Sequence, residues 1–222
     1  MKKNNITVLS MDTNFLKLVG IITMLIDHIG FVFFPKVLIF RIIGRIAFPI
    51  FTYTTMISYF KTKNLKKYLI RLLIIGIISQ PIYVLTFGKS LFELNIMFTL
   101  IFEVILYYTL DKKKWYILPF CIILPIVFSL SYSVIFWVLV FIFYYFRNNK
   151  FAFISSVLLF FYMYILDTSV YIYIPQSITF FSVLSLPFIC IKTNYKFKIN
   201  KYFFYLFYPC HLLLLFLINS II

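Results

Sequence analysis

The chain has 222 residues, of which 64% are hydrophobic and 12% are charged, and its formal net charge is +15. A soluble domain is about half apolar, and a core of this size could not bury 30 Phe and 18 Tyr without exposing large apolar patches. The composition excludes a soluble globular protein and favours a single integral domain over residues 1–222, multi-pass in the cell membrane and surrounded by the lipid bilayer. The basic residues form short clusters between apolar runs, as in cytoplasmic loops, so we expect no nucleic-acid partner.

The first 14 residues are polar, and the apolar run that follows continues for about 20 residues without a small-residue cleavage site. We therefore expect a short cytoplasmic segment, 1–14, followed by a retained helix, with no processing. The three cysteines, Cys121, Cys190 and Cys210, lie within apolar runs and lack CxxC spacing. This pattern predicts core thiols rather than a disulfide framework or a metal site.

Nine apolar runs are candidates for membrane crossing, for which a helix needs about 20 apolar residues. They cover residues 15–34, 37–60, 67–87, 91–110, 115–130, 132–146, 151–166, 170–191 and 202–222. The fifth and sixth runs are short and are joined only by 129–133, so they form either two tilted spans or one re-entrant pair. The sequence predicts an all-α, polytopic transmembrane helix bundle with about nine spans, within a range of eight to ten.

Lys and Arg are concentrated in every second loop. The basic loops are 61–71, 111–114, 147–150 and 192–201, whereas the loops between them carry Lys36, Lys89, no charge around Ser131, and Asp167. Because Lys and Arg accumulate on the cytoplasmic side, nine spans place the N-terminus in the cytoplasm and the C-terminus outside.

The first span carries three ionisable residues, Lys17, Asp27 and His28. An ionised group at the bilayer centre costs about 2.5–3.5 kcal/mol, so such side chains usually face a bundle interior or a water-filled cavity. In a helix, Lys17 and His28 lie within about 20° of each other and about 16 Å apart, whereas Asp27 points about 100° away. We therefore expect the carboxylate and the imidazole to face different neighbours.

The second span places Arg41 and Arg45 on one face, four residues apart. Two like charges need a counter-anion, and Asp27 is the natural candidate because the second span follows the first through a short turn. Gly44 predicts a close approach by another backbone, and Pro49 predicts a kink near Arg45. A simpler alternative for Arg41 is that its side chain extends to the outer interface.

The fourth span predicts a polar stripe of Asn95, Thr99 and Glu103, although Glu103 could instead be the inner partner of a basic loop. The last span contains His211, which with His28 makes up the two histidines of the chain. Either histidine could also serve only in packing or in hydrogen bonds between helices. The many Phe and Tyr are typical of lipid-facing and belt positions.

These residues and their order resemble the TraX family of membrane proteins. The motifs are the Asp-His of the first span, the Gly-Arg-x-Ala-Phe-Pro of the second and the Asn-x-x-Phe-Thr of the fourth. The similar segments are LKLVGIITMLIDHIGFVFFP (16–35), RIIGRIAFPIFTYTTMISYFKTKNLKKYLIRLLIIGIISQPIY (41–83), LNIMFTL (94–100) and LFYPCHLLLL (206–215). The family's founding member is linked to N-terminal acetylation of pilin, and the family more distantly resembles transmembrane acyltransferases.

The resemblance implies an acetyltransferase that uses acetyl-CoA as its co-substrate and acts on a polypeptide N-terminus or an envelope glycan. It implies His28 as the general base, with Asp27 and Arg45 beside it, because a neutral imidazole can accept a proton near pH 7. A covalent acetyl-histidine is the alternative mechanism. Residues expected to bind acetyl-CoA are Lys17, Arg41, Asn95, Thr99 and His211.

Two other functional classes remain open at this stage. A transporter would also place Asp, His and Arg within the membrane, although neither inverted repeats nor matching broken helices are evident. A non-catalytic scaffold of a secretion or conjugation machine would use the same polar residues to hold helices together. In that case, replacing His28 would lower stability and leave acetyl transfer intact.

Overall fold

The computed structural model describes residues 13–130, 133–166, 176–191 and 198–221. Most of the predicted N-terminal segment 1–14 lies outside these residues. So do parts of the connection at 129–133, of the eighth predicted span and of the last basic loop, together with Asp167. Throughout the described ranges the regular structure is helical, which confirms the all-α prediction.

The described residues form eleven α-helices. They are α1 (Thr13–Phe33), α2 (Leu38–Gly44), α3 (Ala47–Lys61), α4 (Leu65–Phe87), α5 (Ile96–Lys112), α6 (Leu118–Val127), α7 (Ser133–Phe146), α8 (Lys150–Leu166), α9 (Gln176–Phe180), α10 (Ser185–Cys190) and α11 (Lys201–Ile221). Short 3-10 turns at Trp115–Ile117 and Phe181–Leu184 precede α6 and α10.

Every predicted apolar run contains a helix, but the helices differ in length. Within the described ranges, four helical stretches are long and apolar enough to cross a membrane: Thr13–Phe33, Leu38–Lys61, Leu65–Phe87 and Tyr202–Ile221. The helices of the other five runs have 17 residues or fewer, and α6 has 10. These helices associate the chain with a membrane, and the count of nine crossings stays a prediction.

The second predicted span is two helices rather than one, because the backbone tightens between α2 and α3. The amide of Ile46 bonds to the carbonyl of Ile43 at 3.2 Å, three residues back instead of four. Pro49 has no amide hydrogen to bond to the carbonyl of Arg45, so the helix is weakened one turn before the proline. The regular α-helical hydrogen bonding is therefore interrupted at Arg45 and Ile46, and the kink itself stays a prediction.

The fourth predicted span begins at Ile96, not at residue 91, because Asn95 caps the helix. Its side chain accepts a hydrogen bond from the second backbone amide of α5.

Residues 88–95 form a turn, in which Gly88 has a φ of 61° and ends α4 in the left-handed conformation. Lys89 Nζ lies 2.8 Å from Glu93 Oε2 in this turn, and the hydrogen bond from Lys89 lowers the pKa of Glu93.

The chain divides into two compact units. The first contains Met1–Thr54 and Phe141–Ile199, and the second contains Thr55–Val140 and Asn200–Ile222. An aromatic cluster lies in the core of the first unit: the ring of Tyr53 meets Phe143 edge-on at 5.8 Å and Phe153 at 6.0 Å. All three side chains are fully buried, so they fix the packing of their helices. The single domain expected for 1–222 stays a prediction.

The second unit is built around α4, which packs against α5 on one side and α11 on another. A methyl group on Gly76 would lie 3.2 Å from the ring of Phe98, so glycine lets α4 and α5 come close. The hydroxyl of Thr86 donates to the carbonyl of Leu212 at 3.3 Å and links α4 to α11.

Candidate functional site

Asp27 lies between two arginines of the neighbouring helical segment. Its Oδ2 is 2.8 Å from Nη1 of Arg41, and its Oδ1 is 3.3 Å from Nη2 of Arg45. The side chain of Asp27 is 13% exposed, that of Arg41 is 17% exposed and that of Arg45 is 6% exposed. Each carboxylate oxygen therefore accepts from one guanidinium, and the predicted pairing is confirmed.

Gly44 makes this arrangement possible. A methyl group at Gly44 would overlap the Cβ and the carboxyl group of Asp27. The sequence predicted a close approach at Gly44, and this is confirmed. The group that approaches is the side chain of Asp27, so the prediction of another backbone is wrong. The turn between α1 and α2, closed by a bond from the amide of Val37 to the carbonyl of Phe34 at 2.9 Å, brings the two helices together.

Arg41 is held by contacts within the α1–α2 pair, and the alternative that its side chain extends to the outer interface stays open. Its guanidinium lies 5.4 Å from the ring centroid of Phe31 and also donates to the main-chain carbonyl of Asp27 at 3.5 Å. The bond from Arg45 Nε to the carbonyl of Arg41, at 3.3 Å, orients the second guanidinium. Two guanidinium groups against one carboxylate leave an excess positive charge, which suits an anionic ligand or transition state.

His28 and Lys17 lie on α1, which is uninterrupted from Thr13 to Phe33. The helical angle expected between them therefore applies, and both side chains are half-buried. Asp27, the residue before His28, is turned toward α2 by its arginine contacts. The imidazole and the carboxylate consequently face different sides of α1, as predicted, and their roles in catalysis stay predictions.

Asn95 belongs to the second unit, where its amide group is fully engaged. Nδ2 donates to the carbonyl of Gly76 and to Oε1 of Gln80, both at 2.8 Å, and Oδ1 accepts from the amide of Met97 at 3.0 Å. Gln80 in turn donates to the carbonyl of Glu93 at 2.9 Å. Asn95 thus organises the α4–α5 turn, and its predicted contact with acetyl-CoA stays a prediction.

The predicted polar stripe of α5 is buried, because Thr99 and Glu103 both have no exposed surface. Glu103 lies in the middle of α5, where Tyr68 and Tyr107 interact electrostatically with it. Because Tyr68 belongs to the basic segment 61–71, the alternative that Glu103 is the inner partner of a basic loop stays open. The hydroxyl of Thr99 has no hydrogen-bond partner in the described part of the chain. Its predicted role in binding acetyl-CoA stays a prediction.

His211, also in the second unit, is 4% exposed and stacks on the ring of Phe207 at 4.9 Å. Its Nδ1 lies 2.8 Å from the carbonyl oxygen of Phe207. Because a carbonyl oxygen only accepts, Nδ1 carries the hydrogen. This contact is within one helix and supports a packing role, while binding of acetyl-CoA by His211 stays a prediction.

The sequence analysis missed two members of the α5 stripe. The stripe continues from Glu103 through Tyr107 to Asp111, whose Oδ2 accepts from the hydroxyl of Tyr59 at 3.0 Å. The signal was the same four-residue spacing. The sequence pattern alone favours a belt position for Tyr107 and a place in the basic loop 111–114 for Asp111.

The family described as TraX protein matches residues 12–219. An uncharacterized protein of Rickettsia prowazekii is 37% identical over 86 residues, which are 38% of this chain and 32% of that protein. A protein of Dichelobacter nodosus named as a probable fimbrial assembly protein is 35% identical over 72 residues, 31% of this chain and 30% of that protein. The chain thus spans about a third of the length of these relatives, and no solved structure matches it. Because the family match covers nearly the whole sequence, the chain belongs to the TraX family.

Proposed function

We propose that this chain is a multi-pass cell-membrane acetyltransferase that moves the acetyl group of acetyl-CoA to an amine or hydroxyl, with His28 as the general base. Family membership supports the class, and the alternation of basic loops supports nine crossings with a cytoplasmic N-terminus. The observation that carries the proposal is the clamp of Arg41 and Arg45 on Asp27, the residue that precedes His28 in the sequence.

The clamp provides fixed positive charge of the kind that acyl transfer needs. Attack on the thioester carbonyl places negative charge on its oxygen, and immobilised guanidinium groups stabilise that charge without having to reorganise. Asp27 holds both arginines in place, and its charge neutralises only one of them. The remaining positive charge also suits the phosphates of acetyl-CoA.

His28 supplies the proton transfer. Its imidazole takes the proton from the attacking hydroxyl or amine, whose lone pair forms the new bond to the carbonyl carbon. The carbon–sulfur bond breaks, and the CoA thiolate leaves and receives a proton from the imidazolium, which returns His28 to its neutral form. A covalent acetyl group on His28, passed on in a second step, is the alternative sequence of events.

The acceptor that we favour is a polypeptide of a surface fibre. The Dichelobacter nodosus relative is named for fimbrial assembly, and this supports a pilus-associated role for the chain. An envelope glycan is the second candidate acceptor, since a hydroxyl group requires the same base and the same charge stabilisation.

The test uses the purified full chain in lipid nanodiscs with radiolabelled acetyl-CoA and a panel of peptide amines and glycan hydroxyls. We expect label transfer and thiol release by the wild type, both reduced about 100-fold or more in His28→Ala. Thr23→Val is the matched control on α1, because the Thr23 hydroxyl bonds only to the carbonyls of Val19 and Gly20 in its own helix. We expect this control to keep wild-type activity.

Two results would reject the proposal. One is the absence of both CoA binding and thiol release in the wild type with every acceptor. The other is full activity in His28→Ala together with lower thermal stability, which is the behaviour of a non-catalytic scaffold that uses His28 to hold helices together.

A further inference from the structure

Every fourth position along α5 and its cap carries a polar side chain. This row, which we call the α5 polar row, consists of Asn95, Thr99, Glu103, Tyr107 and Asp111. Successive members lie about 6 Å apart along the helix axis. The first four have no exposed surface, and Asp111 is half-buried. The row therefore runs through the interior of the second unit for the whole length of α5.

The two ends of the row reach polar surroundings. At one end, Asn95 bonds to Gln80, and Gln80 bonds to the carbonyl of Glu93 in the turn of residues 88–95. At the other end, Asp111 accepts from the hydroxyl of Tyr59 and lies 2.9 Å from Nζ of Lys112. The row thus connects the loops at the two ends of α5.

Tyr59 links the last two members of the row. Its hydroxyl donates to Asp111 at 3.0 Å, and its ring stacks with that of Tyr107 at 6.2 Å. Tyr107 in turn interacts electrostatically with Glu103. Ionisable or hydroxyl groups therefore follow one another from the Asp111 end to the middle of the helix.

The centre of the row holds an ionisable side chain without exposed surface. Glu103 is fully buried, and Tyr68 on α4 faces it while bonding to the hydroxyls of Ser58 and Thr55. One turn away, the hydroxyl of Thr99 is buried without a hydrogen-bond partner in the described ranges. A buried hydroxyl without a hydrogen-bond partner lowers folding stability by about 1–3 kcal/mol. Its position one turn from a buried carboxyl group therefore indicates a functional role rather than a packing role.

We propose that the α5 polar row conducts protons, with Glu103 as the central carrier. A proton that enters at Asp111 passes by way of Tyr59 and Tyr107 to the Glu103 carboxylate, which becomes a carboxylic acid. Glu103 then releases its proton to Thr99, and bridging water carries it past Asn95, whose amide group does not relay protons, to the turn at 88–95. Each hydroxyl accepts one proton and gives up another, so the row returns to its starting charge. Successive members of the row lie about 6 Å apart along the helix axis, too far for direct proton transfer. Bridging water molecules therefore carry the proton from one member to the next.

The test measures proton flux with no acetyl-CoA present, so its result is independent of the proposed acetyltransferase. The full chain is reconstituted in vesicles that enclose a pH-sensitive dye, and a potassium diffusion potential drives protons. We expect wild-type flux clearly above that of protein-free vesicles, and Glu103→Gln at the protein-free rate. Glutamine keeps the size of the side chain but cannot carry the proton.

A matched pair of variants distinguishes loss of proton conduction from loss of folding. Thr99→Val and Thr109→Val make the same change at two fully buried positions of α5, and only Thr99 belongs to the row. The Thr109 hydroxyl bonds to the carbonyl of Ile105 in its own helix. We expect Thr99→Val to lose flux and Thr109→Val to keep it. Wild-type flux no higher than that of empty vesicles, or equal flux in the two variants, would overturn the proposal.

Discussion

The replacement Gly44→Ala tests whether the contact between α1 and α2 holds the charged cluster in place. The added methyl group would overlap the carboxyl group of Asp27, which is bonded to Arg41 and Arg45 and has no room to yield. Inserting a methyl into such packing costs about 1–3 kcal/mol, and complete loss of a buried pair costs about 3–5 kcal/mol. Alanine regains about 1 kcal/mol of helix propensity. Loss of the buried pair, less the regained helix propensity, leaves an expected net loss of about 2–4 kcal/mol.

The assay is thermal unfolding in detergent, with Gly20→Ala as the control. Gly20 is also helical, but its added methyl group would lie 3.0 Å from the far edge of the Phe51 ring, which can move. For a chain of this size, a loss of about 2–4 kcal/mol lowers the unfolding midpoint by about 4–16 °C, whereas Gly20→Ala should leave it nearly unchanged. Equal midpoints for the two variants would refute the proposed role of Gly44.

The ion cluster and the two helix caps make further predictions. Asp27→Asn should lower the unfolding midpoint at least as much as Arg45→Gln, because it removes the anion from both arginines; an unchanged midpoint in Asp27→Asn would contradict this. Asn95→Ala should cost about 2–4 kcal/mol in unfolding free energy, because it removes a cap and two buried hydrogen bonds. Asn64→Ala, which removes only the exposed cap of α4, should cost about 1 kcal/mol, and equal losses would show that the buried bonds contribute little.

Much of the ion cluster could be predicted from the sequence. The spacing of Arg41 and Arg45 requires an anion between them, and the short connection at Pro35 leaves Asp27 as the nearest acid. The helical angle between Lys17 and His28 followed from the spacing alone, since α1 is regular. Local periodicity is reliable where one helix continues without interruption.

The second unit was harder to predict because its contacts join segments that are distant in sequence. Asn95 looked like a helix-interior residue, and only the structure shows that it caps α5 and bonds to Gly76 and Gln80 on α4. A periodic pattern identifies the buried face of a helix, but it does not identify the groups that meet that face.

The sequence by itself determined the all-helical membrane class, the family and the pairing of Asp27 with two arginines. It could do so because composition, loop charge and helical spacing act over a few turns of one chain segment. Only the tertiary structure decided that Gly44 accommodates a carboxyl group, that Asn95 caps α5 and that Glu103 is fully buried. These features depend on which helix packs beside which, and that is set by the joint packing of all side chains rather than by any one segment.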